Sequence, residues 1–259
     1  MLAAHAICKT FHAGTPGARV ALDNVDLDLA PGDFAVVIGG NGAGKSTLLN
    51  AIAGEVRVDS GSIVLDGRDI TREPTHRRAV AIARVFQDPL VGTAGVLTIE
   101  ENLALAGRRG RRNGLRPGLT AAARGRYRER LAEIGLGLES RMGQKVELLS
   151  GGQRQSLALL MAVLTTPKLL LLDEHTAALD PKTAELVMRA TTAAVQRERL
   201  TALMVTHNMQ HALTFGNHLI MMSEGRIVYA ARAAEKAVLT VESLVRRFQV
   251  TSDRLLLTL

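Results

Sequence analysis

Phe34-Ala35-Val36-Val37-Ile38-Gly39-Gly40-Asn41-Gly42-Ala43-Gly44-Lys45-Ser46-Thr47 joins five apolar residues to a glycine-rich loop and a lysine. The apolar run does not alternate, which is the pattern of a strand buried on both faces, as in a parallel sheet covered by helices. From Gly39 onward the residues fit G-x-x-x-x-G-K-[ST], and Leu48, Leu49 and Ile52 follow at helical spacing until Gly54 stops them. Strand, loop and helix in this order make a phosphate cradle. Glycines let successive N–H groups turn inward, and the helix aims its positive end at the same charge. Lys45 reaches the β- and γ-phosphates, and the Ser46 hydroxyl can ligate Mg²⁺.

Outward from this segment the pattern is α/β. On the N-terminal side Val20, Leu22, Val25, Leu27 and Leu29 have strand spacing with a break near Asp23-Asn24, and Pro31-Gly32-Asp33 turns the chain. On the C-terminal side Ile63-Val64-Leu65, Asp66-Gly67 and Ile70 read as a hairpin with a two-residue turn. Further strands are expected at Val80–Phe86, Leu169–Leu172, Ala202–Val205 and Leu219–Met222. Leu186, Val187, Ala190 and Ala194 place a helix between two of them. Alternating strands and helices imply a mainly parallel core. Asp88 to Leu148, richer in Arg, Gly, Glu and Leu, reads as a helical insertion. Val241, Leu244, Val245 and Phe248 form one face of a final helix entered at Thr240.

The chain has 259 residues, 47% hydrophobic and 22% charged, enough for one large domain or two small ones. At this size about 75% of the unfolded surface is buried on folding, so no disulfide staple is needed. The single cysteine suits a reducing compartment. Leu157–Leu164, the longest apolar run, falls well short of the ~20 residues of a membrane span. Met1–Ile7, with His5 inside it, does not read as a signal peptide, and a soluble protein is expected. The net charge of +7 favours anionic partners: nucleic acid, a phospholipid surface or a nucleotide. Five Phe, two Tyr and no Trp are too few for a platform that stacks successive bases. Arg108, Arg109, Arg111, Arg112 and Arg116 concentrate the charge in what reads as a solvated basic loop.

Two more segments carry chemistry. Leu169-Leu170-Leu171-Leu172-Asp173-Glu174 ends a hydrophobic strand in two carboxylates, at the sheet edge where open α/β folds bind ligands. Alone it reads equally well as a buried strand with solvated acids. Beside the phosphate loop, Asp173 is placed to hold Mg²⁺ and Glu174 to polarise a water for attack on the γ-phosphate. Leu149-Ser150-Gly151-Gly152-Gln153 opens a helix in a second phosphate-binding shape.

With that last motif the chain resembles, over nearly its whole length, the ATP-binding subunits of ABC transporters. The resemblance implies a P-loop NTPase core with a mainly parallel sheet, an antiparallel β subdomain and a helical signature subdomain. It places the core at 1–87 and 149–235, the helical part at 88–148, and a C-terminal helix and tail at 236–259. It carries over Gln87 as the Q-loop ligand of Mg²⁺ and sensor of the γ-phosphate, and His207 as the switch histidine. Asp180 becomes the D-loop residue and Phe11 the aromatic on adenine. Gly39, Gly40, Asn41, Gly42, Ala43, Gly44, Lys45, Ser46 and Thr47 hold one ATP together with Ser150, Gly151, Gly152 and Gln153 of a second copy. By themselves His207 reads as a surface or packing residue and Phe11 as core.

The implied partners are that second copy, packed head to tail around two ATP, integral membrane permeases docked beside the Q-loop, and a solute-binding protein. No direct nucleic acid is expected, and the implied place is peripheral, on the cytoplasmic face of the cell membrane. Two departures from the family stand out: His175-Thr176-Ala177 where Pro-Thr-Ser is common, and Ser156 where many relatives have Arg. Glu174–Ala178 with Met221-Met222 resembles ATPases that serve permeases of the branched-chain-amino-acid type. An exporter subunit, or a non-transport ABC ATPase acting on nucleic acid or ribosomes, is the competing reading. Members of the latter kind usually carry tandem halves or a long coiled-coil insertion, whereas this chain has one phosphate loop and a short insertion.

Overall fold

A computed structural model describes residues 1–111 and 118–256, with side chains through Phe248. Arg112 and Arg116 of the basic run and Leu257 of the tail lie outside the described residues, as do the side chains of Leu255 and Leu256. The chain begins β1 (Leu2–Phe11), β2 (Arg19–Leu29), β3 (Phe34–Gly39), α1 (Lys45–Ala53), β4 (Ser60–Leu65), β5 (Arg68–Asp69) and α2 (Thr75–Arg78). It continues with β6 (Ile82–Val85), α3 (Ile99–Ala106), α4 (Ala121–Ala132), α5 (Gly151–Val163), β7 (Leu169–Asp173) and α6 (Pro181–Arg197). The last elements are β8 (Thr201–Val205), α7 (Met209–Thr214), β9 (His218–Ser223), β10 (Arg226–Arg232), α8 (Ala233–Ala237) and α9 (Val241–Leu256).

These elements form two units. The first is Met1–Arg78 with Thr201–Leu259. It contains an antiparallel sheet in the order β2-β1-β4-β5. It also contains the order β10-β9-β3-β8, in which β3 pairs parallel with β8 and β9, and β10 pairs antiparallel with β9. Phe34 to Ile38 are all buried, as the unbroken apolar run requires. Leu48, Leu49 and Ile52 are buried along α1, and Gly54 ends it with N–H bonds back to Ala51 and Asn50. Asp66-Gly67 makes the two-residue turn between β4 and β5, with both residues at positive φ.

The second unit is Ala79–Leu200. Its β6 and β7 are a parallel pair. The expected strand Val80–Phe86 is shorter in the structure. Lys168 and Leu169 both donate to the Ala81 carbonyl, so ladder pairing starts only at Ile82–Leu169 and leaves Val80 57% exposed. Between Asp88 and Leu148 the described residues hold helices α3 and α4, two short 3₁₀ turns and an isolated bridge from Thr98 to Lys145. Thr98 caps α3 reciprocally with Glu101. On α6 the buried face is Ala184, Val187, Met188, Thr191, Ala194 and Val195, and Leu186 faces out. In α9, entered at a Thr240–Ser243 cap, Leu244 is buried while Val245, expected beside it, is exposed.

Candidate functional site

In the first unit the phosphate loop leaves the end of β3. Gly44 starts α1 with φ of +98°, and a Cβ there would run into the Ala21 carbonyl oxygen, so only glycine fits. Lys45 is buried and its Nζ donates to the carbonyls of Gly39 at 2.8 Å and Gly40 at 2.9 Å. The ammonium is therefore held across the mouth of the loop. Ser46 is exposed and Thr47 half-buried on the first turn of α1, which contains no acid to compete for an anion. The parallel register pairs Val37 with Val205, so Gly39 and His207 leave the same sheet edge two residues on. His207 is exposed; burial first, and the nearby His207 second, lower the pKa of His211. Asn208 caps α7 through the His211 N–H, which sets where the loop bearing His207 ends. Phe11 closes β1 opposite Arg19, whose Nη2 donates to the Gly42 carbonyl at 3.3 Å. Arg19 escaped the sequence reading because nothing local distinguishes it.

In the second unit Val85 pairs with Leu172, so Gln87 and Glu174 also emerge together from one edge. Gln87 is exposed. Asp173 is half-buried and its Oδ2 accepts from Arg84 Nη2 at 2.6 Å. Glu174 has φ of +42°, a left-handed backbone that costs a side-chain-bearing residue of order 1–3 kcal/mol. His175 is buried, with Nε2 3.1 Å from Thr191 Oγ1, itself a donor to Val187 O. The departure at His175 thus anchors the acid edge to α6.

Ser150 caps α5. Its Oγ accepts from the Gln153 N–H at 3.4 Å, and Gln153 Oε1 accepts from the Ser150 N–H at 3.2 Å. The two signature side chains preform the helix start and leave Ser150 and Gly151 exposed. A Cβ on Gly152 would collide with the Thr183 side chain, and Asp180 caps α6 through the Thr183 N–H. The structure therefore brings the signature and Asp180 side by side. That capping bond, through both side chain and backbone of Thr183, lowers the Asp180 pKa. Gln155, buried and missed by the sequence reading, donates from Nε2 to the Phe86 carbonyl at 3.1 Å, one residue before Gln87. Ser156, the second departure, is buried on α5.

The donors Ser46 Oγ, Gln87 Oε1 and Asp173 Oδ1 are all hard oxygens. Each is of a kind that suits Mg²⁺ rather than a thiophilic metal.

Against known proteins, residues 22–177 match the family described as ABC transporter. A tyrosine transport ATP-binding protein of Clostridioides difficile is 43% identical, covering 96% of this chain and 99% of that protein. The fructose import ATP-binding protein FrcA of Rhizobium meliloti is 38% identical over 81% of this chain and 82% of its own length. Among solved structures, the ADP conformation of the ATP-binding cassette MJ1267 aligns with a TM-score of 0.78 at 27% identity, covering 96% of this chain and 98% of that one. The dimeric post-hydrolysis cassette MJ0796, bound to ADP and Pi, aligns at 0.77 and 29%, covering 90% and 98%. The fold is that of the ABC cassette, with a mixed, mainly parallel sheet and an antiparallel β subdomain. A family match across more than half of the residues, beside end-to-end likeness to a transport ATPase, leads to one conclusion: the chain belongs to the ABC transporter family, as an ATP-binding subunit that hydrolyses ATP.

Proposed function

We propose that two copies of this chain close head to tail around two ATP molecules and drive solute import through separate permease subunits. One observation carries the reading. The chain presents two different phosphate cradles, the loop closed by Lys45 and the self-capped α5 start at Ser150-Gly151, and each exposes the face a nucleotide needs. Such half-sites are completed by a second copy, and ATP that binds the closed pair better than the open one shifts the population toward closure.

Within each site Lys45 and the α1 N-terminus bind the β- and γ-phosphates, and Phe11 packs on adenine. Glu174 takes the proton of the attacking water, while Gln87 and His207 sense the γ-phosphate. Asp180 orders the α6 start beside the signature. Ser46, Gln87 and Asp173 would hold Mg²⁺, which neutralises developing charge on the phosphates when bound. The division into a core at 1–87 and 149–235, a helical part at 88–148 and a tail at 236–259 belongs to this proposal.

The transported solute is proposed to be an amino acid or a related compound, carried by permeases of the branched-chain-amino-acid type with a solute-binding protein. The tyrosine-transport name of the 43%-identical relative supports that class. Among the described residues no helix is long and apolar enough to cross a membrane, and the proposed membrane path is that of the separate permease subunits. Leu90, Val91, Val96 and Leu105, which follow the Q-loop in sequence, are exposed apolar side chains available to such a partner on the cytoplasmic side.

The test is Glu174→Gln. Removing the base should slow hydrolysis by ~10²–10⁴-fold while ATP still binds, and the variant should accumulate as an ATP-bound dimer on size exclusion. Tagged and solubilised from membranes with ATP and Mg²⁺, it should bring down a multi-span permease. Near-normal turnover removes Glu174 from the base role, and recovery of ribosomes or DNA without a membrane protein overturns the transport reading.

A further inference from the structure

Arg84 is a charged residue in the middle of the buried strand β6, one strand away from the acid edge. Its Nη2 donates to Asp173 Oδ2 at 2.6 Å, and the two side chains are only 10% and 15% exposed. The guanidinium also lies 4.7 Å from the centroid of the Phe86 ring. It lines one wall of a cavity of 260 Å³ shared with Arg109, Leu105 and Met161. These contacts fix the guanidinium from two sides, the carboxylate on one and the aromatic face on the other.

We propose that Arg84 is a positioning residue for Asp173, a resident counter-cation that sets how much magnesium the nucleotide site requires. A carboxylate withdrawn from water this far needs a partner before any metal arrives. Arg84 supplies it with a positively charged guanidinium. Its charge is therefore still present when Mg²⁺ arrives. Oδ2 stays occupied, Oδ1 is left for the metal or its water, and two cations on one carboxylate repel each other. Arg84 thus holds the Asp173 carboxylate oriented at the cost of weaker magnesium binding.

The inference rests on the reading of Asp173 as a magnesium acid, and the experiment separates the two. Binding of a fluorescent ATP analogue to the full chain is titrated with Mg²⁺ for the wild type, Arg84→Met, Arg84→Lys and Asp173→Asn. Arg84→Met should lower the half-saturating Mg²⁺ concentration about fivefold, because the repelling charge is gone. Arg84→Lys, which keeps the charge but loses the fork, should stay within about twofold of wild type. A thermal melt without Mg²⁺ checks folding, and if the methionine variant does not fold, Arg84→Gln replaces it with the same expected fall. An unchanged or raised Mg²⁺ requirement in the uncharged variant overturns the counter-cation role. If Asp173→Asn leaves the Mg²⁺ dependence at its wild-type value, the magnesium assignment itself fails. If Asp173→Asn weakens it and the uncharged Arg84 variant does not shift it, only the Arg84 inference falls.

Discussion

Glu174 sits at the end of β7 with a backbone that its side chain disfavours, and its neighbours hold it there. The Ala177 N–H donates to its carbonyl at 2.9 Å, and His175 is buried against α6. Strain of this kind persists where the surroundings over-determine it, and here it fixes where the candidate base leaves the sheet edge. A second residue with its own environment is Lys236 on α8. It is buried, its Nζ bonds to the carbonyls of Phe215 and Gly216, and burial pushes its pKa down from 10.5 to about 8. Below pH 8 both folded and unfolded chains carry this proton. Between about 8 and 10.5 the unfolded chain binds it and the folded chain does not, so stability from this group rises with pH. Denaturant unfolding at pH 7.5 and pH 10 should show the wild type gaining about 1–3 kcal/mol relative to Lys236→Met across that window. Equal pH slopes for the two proteins would remove the effect.

At the scale of elements, α1 carries the phosphate loop at one end and depends on a distant cation at the other. Arg78, 4% exposed, donates from Nη1 to the carbonyls of Ala51 at 2.7 Å and Ile52 at 2.9 Å, from Nε to Glu73 O and from Nη2 to Thr71 O. It satisfies the last carbonyls of α1 and places positive charge at the negative end of the helix dipole. Arg78→Met should cost about 3–5 kcal/mol in urea unfolding, since four carbonyl acceptors, two of them fully buried, lose their donor together, and Arg78→Lys should recover part of it. A loss below about 1 kcal/mol would show that water replaces the guanidinium.

The contrast with what could be read beforehand is physical. Gly54, Asp66-Gly67, Thr240 and the apolar run Phe34–Ile38 act on near neighbours, so their signals sit in the local sequence. The phosphate loop, Asp173-Glu174 and Ser150–Gln153 are contiguous and were legible for the same reason. Arg78, Arg84 and Gln155 act on residues 26, 89 and 69 positions away, and only the fold shows what they bond. Val245 was misread because a helical stripe shows which residues share a face without showing how wide the covered strip is.

At the scale of the whole molecule, the proposed function requires that each nucleotide be held by parts of two chains, and this can be tested without a partner permease. Lys45→Ala removes the ammonium that bridges the Gly39 and Gly40 carbonyls, disabling the phosphate-loop half of a site. Gly152→Arg forces a long side chain against Thr183 and disables the signature half. Each variant alone forms dimers in which both sites contain one damaged half, so each should be nearly inactive. In an equal mixture about half of the dimers are mixed pairs, and each mixed pair has one site with two intact halves and one with two damaged halves. With independent sites the mixture should recover about a quarter of wild-type ATPase activity. Strong coupling between sites would lower that figure, yet ATP-dependent association of the two variants, each carrying a different fluorophore, should still exceed association within either variant alone. If each nucleotide were instead held within a single chain, mixing would restore neither activity nor association, because no intact site could then be assembled from the two.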